Sequence, residues 1–339
     1  MSAGRGWRGD MAAFKRLPIG AIIGAGLLLL APIAPARPDE ANTPPVAPGA
    51  AEMLEPASSI IDMGINDTDR MTVAIHIAER GPYAFILDTA ATRTVISREL
   101  ANTLALKPAG NVRLITLTGG GNASMVHIQG LRFRPGKTHD IQALALGGTH
   151  IGAHGILGID TLQNQRVVLD FRARTLAVSE AKRGQSVRPG PDEIVVTARR
   201  KLGQLILADS TIDGEKIDVI VDTGTQISLG NEALRRRLLK SGSRYAVTPI
   251  SLIGVTGDVL NADYTRVDQL RIGRVALHGM PIAFGDAYAF RKLKLRKPAL
   301  LLGMDALRMF TRVTVDFPNR RASFVLPEEA ASAPPRIGR

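Results

Sequence analysis

The chain states one pattern twice, and an internal repeat constrains the fold more than any single motif. Residues 71–90, MTVAIHIAERGPYAFILDTA, read as two strands joined by a turn at 79–82, then a third element ending in a carboxylate. Residues 203–224, GQLILADSTIDGEKIDVIVDTG, repeat the scheme with the turn at Asp213-Gly214. Gly81 precedes Asp88 by seven residues and Gly214 precedes Asp222 by eight, so the two registers agree within one position. A short helical pattern follows each carboxylate: 97–106 (SRELANTLAL) opens with Ser97 as N-cap, and 231–240 (NEALRRRLLK) with Asn231. Glycine-punctuated hairpins come next, with tips at Leu117-Thr118-Gly119-Gly120-Gly121 and at Ile253-Gly254-Val255-Thr256-Gly257-Asp258; these are candidate mobile arms. Each copy closes on an apolar pair, a glycine, a short helix and a strand, at 155–171 and 300–317. Gly158 to Asp170 spans 12 residues and Gly303 to Asp316 spans 13.

Composition supports a β reading of both copies. Aromatics make up 4% of the chain while Gly (34) and Pro (20) are plentiful, which favours aliphatic strands broken by many turns over a helical bundle. A length of 339 residues suits about two domains. With no cysteine, disulfides, thiolate zinc sites, a cysteine nucleophile and a lipid-modified N-terminal cysteine are all excluded.

The ends read differently. Arg5, Arg8, Lys15 and Arg16 precede an uncharged stretch, 17–36, that finishes in Ala34-Pro35-Ala36, the pattern of a secretory signal. The expectation is a cleaved signal peptide at 1–36 and an exported, periplasmic protein; an uncleaved membrane anchor is the alternative, with Pro18 and Pro32 shortening its apolar centre. Cleavage takes away four basic residues and Asp10, lowering the net charge from +12 to +9. Residues 37–56 read as a tether, 57–180 as the first lobe, 181–192 (AKRGQSVRPGPD) as a linker, 193–328 as the second lobe and 329–339 as a tail. The segment 193–200 (EIVVTARR) is similar to a stretch near the start of many TonB-dependent receptors, but β-branched strand chemistry accounts for it fully.

Two apolar strands, Phe85-Ile86-Leu87 and Val219-Ile220-Val221, each deliver an aspartate into a turn, Asp88-Thr89-Ala90 and Asp222-Thr223-Gly224. A buried carboxylate is costly unless something hydrogen-bonds it or shares its charge, and the second copy offers each aspartate such a partner. This arrangement resembles the aspartic peptidases of the pepsin and retropepsin fold, whose signature is apolar-apolar-Asp-Thr/Ser-Gly followed later by apolar-apolar-Gly. The resemblance covers residues 65–178 and 193–326. It implies a mostly β protein with two homologous retropepsin-like barrel lobes about a pseudo-twofold axis, plus short helices. It makes Asp88 and Asp222 the dyad that holds a nucleophilic water, with no metal or cofactor. It makes Thr89 and Thr223 a reciprocal lock between the turns. Amides of Ala90 and Gly224 support the carboxylates, Thr118–Gly121 and Val255–Asp258 close over an extended substrate, and Thr225 donates to Asp222. Because Ala91 stands where the second copy has Thr225, Asp222 is expected to ionise first.

Ala90 departs from the family's glycine, and its Cβ is expected to crowd the facing lobe or to force a different φ. Two readings therefore stand: an endopeptidase acting on polypeptides, or a noncatalytic peptide- or envelope-binding protein on the same scaffold. Other signals carry less. Arg134 to Thr138 echoes a phosphate loop but is spaced wrongly; His150 and His154 lie among glycines with no third ligand in view. The basic runs 235–237 and 291–297 lack aromatic interleaving, so no nucleic-acid partner is expected and envelope-surface attraction is the remaining option. A monomer is expected, since the repeat supplies in one chain what a retropepsin obtains by dimerising.

Overall fold

The computed structural model describes residues 21–22 and 59–327, apart from 63, 66–69, 135, 186–188, 191, 202–203, 208 and 241–242. The expected signal, tether and tail lie outside the described residues, save the two-residue strand Ala21–Ile22, which pairs in parallel with Leu252–Ile253. Among the described residues no helix is long and apolar enough to cross a membrane.

The fold is mostly β, and each copy of the repeat builds one lobe. In the first lobe Met71–Ile77 and Arg80–Leu87 form a hairpin whose aliphatic side chains alternate: Val73, Ile75 and Ile77 are buried while Ala74 faces solvent. The sheet continues through Gly155–Leu157, Val95–Ser97, Lys137–Leu146 and Gly120–Arg134. Gly120–Arg134 returns to pair with Met71–Ile77, closing a six-stranded barrel. The second lobe follows the same plan. Gln204–Leu207 pairs with Asp218–Val221, then come Ala299–Leu302, Leu229–Gly230, Val275–Phe284 and Val259–Ile272. Helices Arg98–Thr103 and Glu232–Leu238 start where their caps direct: Ser97 accepts a hydrogen bond from the Leu100 amide and Asn231 from that of Leu234.

One sheet joins the lobes. Its order is Glu193–Lys201, Arg321–Val325, Arg312–Asp316, Gln165–Asp170, Thr175–Glu180 and Ser59–Asp62. At its centre Gln165–Asp170 runs antiparallel to Arg312–Asp316, with Val168 opposite Thr314. These two are counterparts in the repeat, because Asp170 and Asp316 are, so the pseudo-twofold axis passes between them. Segment 193–200 is thus the leading strand of the second copy, pairing with Arg321–Val325 and running on to pair with Gln204–Leu207, while Ser59–Asp62 occupies the far edge. Buried Val167, Leu169, Val178, Val313, Val315 and Phe324 form the apolar floor beneath the lobe interface.

Candidate active site

Each carboxylate strand is braced by the strand that closes its own lobe. Gly155–Leu157 lies parallel to Phe85–Leu87, and the Asp88 amide donates to Leu157 O at 3.0 Å. Ala299–Leu302 does the same for Asp218–Val221, with the Asp222 amide on Leu302 O at 3.0 Å. Gly158 and Gly303 end these braces because backbone crosses them: a Cβ at 158 would stand 2.5 Å from the carbonyl carbon of Arg93, and one at 303 would stand 2.8 Å from that of Ile227. Asp160 and Asp305 are structural. Asp160 accepts from the amide and hydroxyl of Thr94, and Asp305 from those of Ser228, tying each closing helix to the loop beyond the carboxylate turn. Burial raises both of their pKa values, that of Asp305 to about 6.

The two turns meet at the axis. The Thr89 hydroxyl donates to Val221 O at 2.8 Å and accepts from the Thr223 amide at 3.3 Å. In return the Thr223 hydroxyl donates to Leu87 O at 2.7 Å and accepts from the Thr89 amide at 3.1 Å. All four bonds cross between lobes and all are buried. Asp88 and Asp222 sit at this junction with no solvent exposure, and they face one another closely enough that the charge on Asp88 raises the pKa of Asp222. Asp88 Oδ1 accepts from the amides of Ala90 and Ala91, both at 2.8 Å, and Asp222 Oδ1 accepts from the Gly224 amide at 2.9 Å. Among the described residues Oδ2 of each aspartate has no hydrogen-bond partner. One oxygen of each carboxyl is fixed by backbone, and the other is left for chemistry.

The side-chain bond on which the expected order of ionisation rested is not made. The Thr225 hydroxyl reaches the backbone carbonyl of Asp222 at 3.4 Å and not the carboxylate. Burial pushes Asp88 up to about 6, held back by the Ala90 and Ala91 amides and by Arg70. Asp222 rises well above the usual carboxylate range, first by burial and then by the charge on Asp88. Both carboxyls are thus raised by burial, and Arg70 opposes the rise of Asp88 alone.

The change of φ expected of Ala90 is absent. Ala90 keeps a negative φ and packs its methyl, fully buried, among Leu117, Ile220 and Ile227. The close approach falls on its counterpart: a Cβ on Gly224 would lie 2.2 Å from Asp88 Oδ2.

The arms are the hairpins Pro108–Ile115 with Gly120–Arg134, and Thr248–Ile253 with Val259–Ile272. Their tips meet. Thr118 packs on Gly254, where a Cβ would lie 2.2 Å from its Oγ1, and Gly119 lies against Asp258. Thr256 donates to Asp258 at 2.6 Å, Gly257 abuts the His150 ring, Gly120 abuts Tyr288, and Gly121 faces open space. Each tip also inserts an apolar residue into the other lobe. Leu117 is buried among second-lobe residues Ile206, Ile220 and Ala287, and its carbonyl accepts from the Tyr288 amide at 2.9 Å. Val255 is buried among first-lobe residues Ile86, Ala91 and Ile156. Leu117 escapes a search that looks for glycines, although a lone leucine at a hairpin tip is itself a signal.

Two further buried polar residues were missed. Thr72 faces Ile86 and Val73 faces Phe85; the same register carried two residues on sets Arg70 opposite Asp88. Ile206 faces Ile220, which likewise sets Gln204 opposite Asp222. Both Arg70 and Gln204 are fully buried. The Arg70 guanidinium donates to Ile151 O at 2.5 Å, and the Gln204 amide donates to Ala90 O at 2.5 Å. The available signal was a polar residue eighteen positions before each aspartate.

Paired carboxyls on locked, mirrored turns beneath two hairpin arms whose tips meet define an acid-protease scaffold. Comparison with protein-family models agrees lobe by lobe. Residues 73–164 match the model described as gag-polyprotein putative aspartyl protease, and residues 208–306 match the model described as aspartyl protease. No curated protein matches the chain. The chain belongs to the aspartyl protease family, as a two-lobe, retropepsin-like member carrying one protease domain in each lobe.

Proposed function

We propose that the chain is an aspartic endopeptidase that hydrolyses peptide bonds with a water held between Asp88 and Asp222. The observation that carries this reading is the reciprocal Thr89–Thr223 lock, which holds two buried carboxyls together with Oδ2 of each unengaged by protein. Asp88, the carboxyl on which Arg70 acts, takes a proton from water as the oxygen bonds to the scissile carbonyl carbon, while protonated Asp222 donates to the carbonyl oxygen. The resulting diol collapses: one hydroxyl returns its proton to Asp222, the C–N bond breaks, and Asp88 passes its proton to the departing amine. The substrate is an extended polypeptide between dyad and arms, recognised partly through its backbone.

The structural reason for the binding-only alternative was the alanine at position 90, and the Ala90 amide still serves Asp88. The basic runs are partly neutralised: Arg235 pairs with Asp263 and Glu232, and Arg291 with Asp286. Export and a monomeric state remain part of the proposal, resting on residues 5–36 and on the repeat respectively.

The test is incubation of the purified chain with a mixed peptide library from pH 3 to 8, cleavage sites being read by mass spectrometry. Cleavage is expected, and is lost in Asp88→Asn and Asp222→Asn. Cleavage that survives either substitution refutes the mechanism. Its acid limb is expected near pH 6, where Asp88 protonates.

A further inference from the structure

The lobes repeat each other closely around the dyad, yet the residue opposite each aspartate differs in charge. Carried two residues past its paired positions, the register of each hairpin sets Arg70 opposite Asp88 and Gln204 opposite Asp222, and Arg70 acts electrostatically on Asp88. A guanidinium with no solvent exposure is costly without compensating charge, and Asp88 supplies such a charge while the bond to Ile151 O fixes where Arg70 points. Among the described residues, the charged group acting on Asp88 is Arg70, just before the strand Met71–Ile77, and the charged group acting on Asp222 is Asp88, from the other lobe. Gln204 spends its amide on Ala90 O and brings Asp222 no charge.

We propose that Arg70 is a positioning residue that sets the direction of proton flow: its guanidinium holds Asp88 as the carboxylate, and neutral Gln204 leaves Asp222 as the protonated acid. This rests on the reading of the pair as a working dyad. The shifts agree in direction, since burial and the Asp88 charge both raise Asp222 whereas Arg70 opposes the rise of Asp88. A merely structural Arg70 would leave the order of titration to burial alone.

The experiment is a carboxyl titration by carbon-13 NMR of the full chain labelled at aspartate Cγ, with signals assigned through Asp88→Asn and Asp222→Asn. In the unsubstituted chain Asp88 is expected to titrate below Asp222. Arg70→Gln is expected to raise the Asp88 midpoint by about 1–3 pH units, the usual effect of losing an adjacent opposite charge. Arg70→Lys is expected to restore most of that shift, and Gln204→Met to leave Asp88 unmoved. The acid limb of peptide cleavage should move with the Asp88 midpoint. An Asp88 midpoint unchanged in Arg70→Gln overturns the assignment. So does an Asp222 signal titrating first in the unsubstituted chain, a result that stands even if Arg70→Gln fails to fold. If the carboxyls titrate as expected and nothing is cleaved, the peptidase reading falls and the role of Arg70 survives. If cleavage is robust and its acid limb ignores Arg70→Gln, the reverse holds.

Discussion

Gly224→Ala tests the geometry of the dyad directly. The added Cβ would lie 2.2 Å from Asp88 Oδ2 and 2.4 Å from its Cγ, whereas ordinary contact begins near 3.4 Å, leaving 1.2 Å to be found. Asp88 cannot give way freely, because Oδ1 is held by the Ala90 and Ala91 amides. The turns cannot part freely either, because the four threonine bonds hold them together. The carboxyl is therefore displaced by about 1 Å, a misplacement of a reacting group that costs about 100-fold in rate. Overpacking lowers stability by about 1–3 kcal/mol. A fluorogenic peptide should show kcat falling about 100-fold with KM little changed, and urea unfolding should confirm that the variant is folded. Ala90→Gly, its counterpart, should keep activity and lose only about 1–2 kcal/mol for a buried methyl and added chain entropy. A folded Gly224→Ala whose kcat is within a few-fold of the unsubstituted chain would refute this reasoning.

Three other outcomes are expected. Thr223→Val preserves shape but strands the Thr89 amide and the Leu87 carbonyl, costing about 1–3 kcal/mol for each group in urea unfolding, while Thr223→Ser should cost far less. Asp88 titrates near 6 when folded and near 3.9 when unfolded, so the folded state binds more protons across that window and stability falls as pH rises through it. Asp222, raised further, extends the fall above pH 6, and Asp222→Asn should flatten that upper part of a urea-midpoint profile. Leu117→Ala removes a buried side chain from the second lobe, loosening the first arm by about 2–5 kcal/mol, and should speed hydrogen exchange at 114–121 well before the barrels respond.

What was legible in the sequence was local or repeated. Ser97 and Asn231 announce their helices because N-capping acts within three residues. Asp88 and Asp222 stand out because apolar strands end in them at matching registers. Arg70 and Gln204 were passed over because each looks like an ordinary residue at the start of a strand. Their importance appears only when antiparallel pairing carries them across to the aspartates. Thr225 supports Asp222 through its backbone amide, while the turn directs its hydroxyl to the Asp222 carbonyl and not to the carboxylate as sequence adjacency suggests. Leu117 and Val255 lie at exposed-looking hairpin tips, and their burial depends on the opposite lobe, which no local pattern encodes.

The departures from exact repetition have a common logic in charge. A dyad that shares one proton carries a single negative charge, and Arg70 brings a single positive one to bear on it. Two arginines would leave an excess of positive charge in an apolar interior, which favours stripping the remaining proton from Asp222. Two glutamines would leave the shared charge uncompensated. Exact twofold symmetry permits only those two choices; a fused chain permits one of each. Gln204→Arg therefore drives the pair toward its doubly ionised form. Cleavage at pH 7 should fall by about 10²–10⁴-fold for want of a general acid and recover in part toward pH 4 as Asp222 regains its proton. Joining Arg70→Gln to Gln204→Arg restores the charge count with the roles of the aspartates exchanged. That double variant should recover activity at pH 7 relative to Gln204→Arg alone. If it is no better, or if Gln204→Arg folds and keeps its original pH optimum, charge compensation does not govern this site.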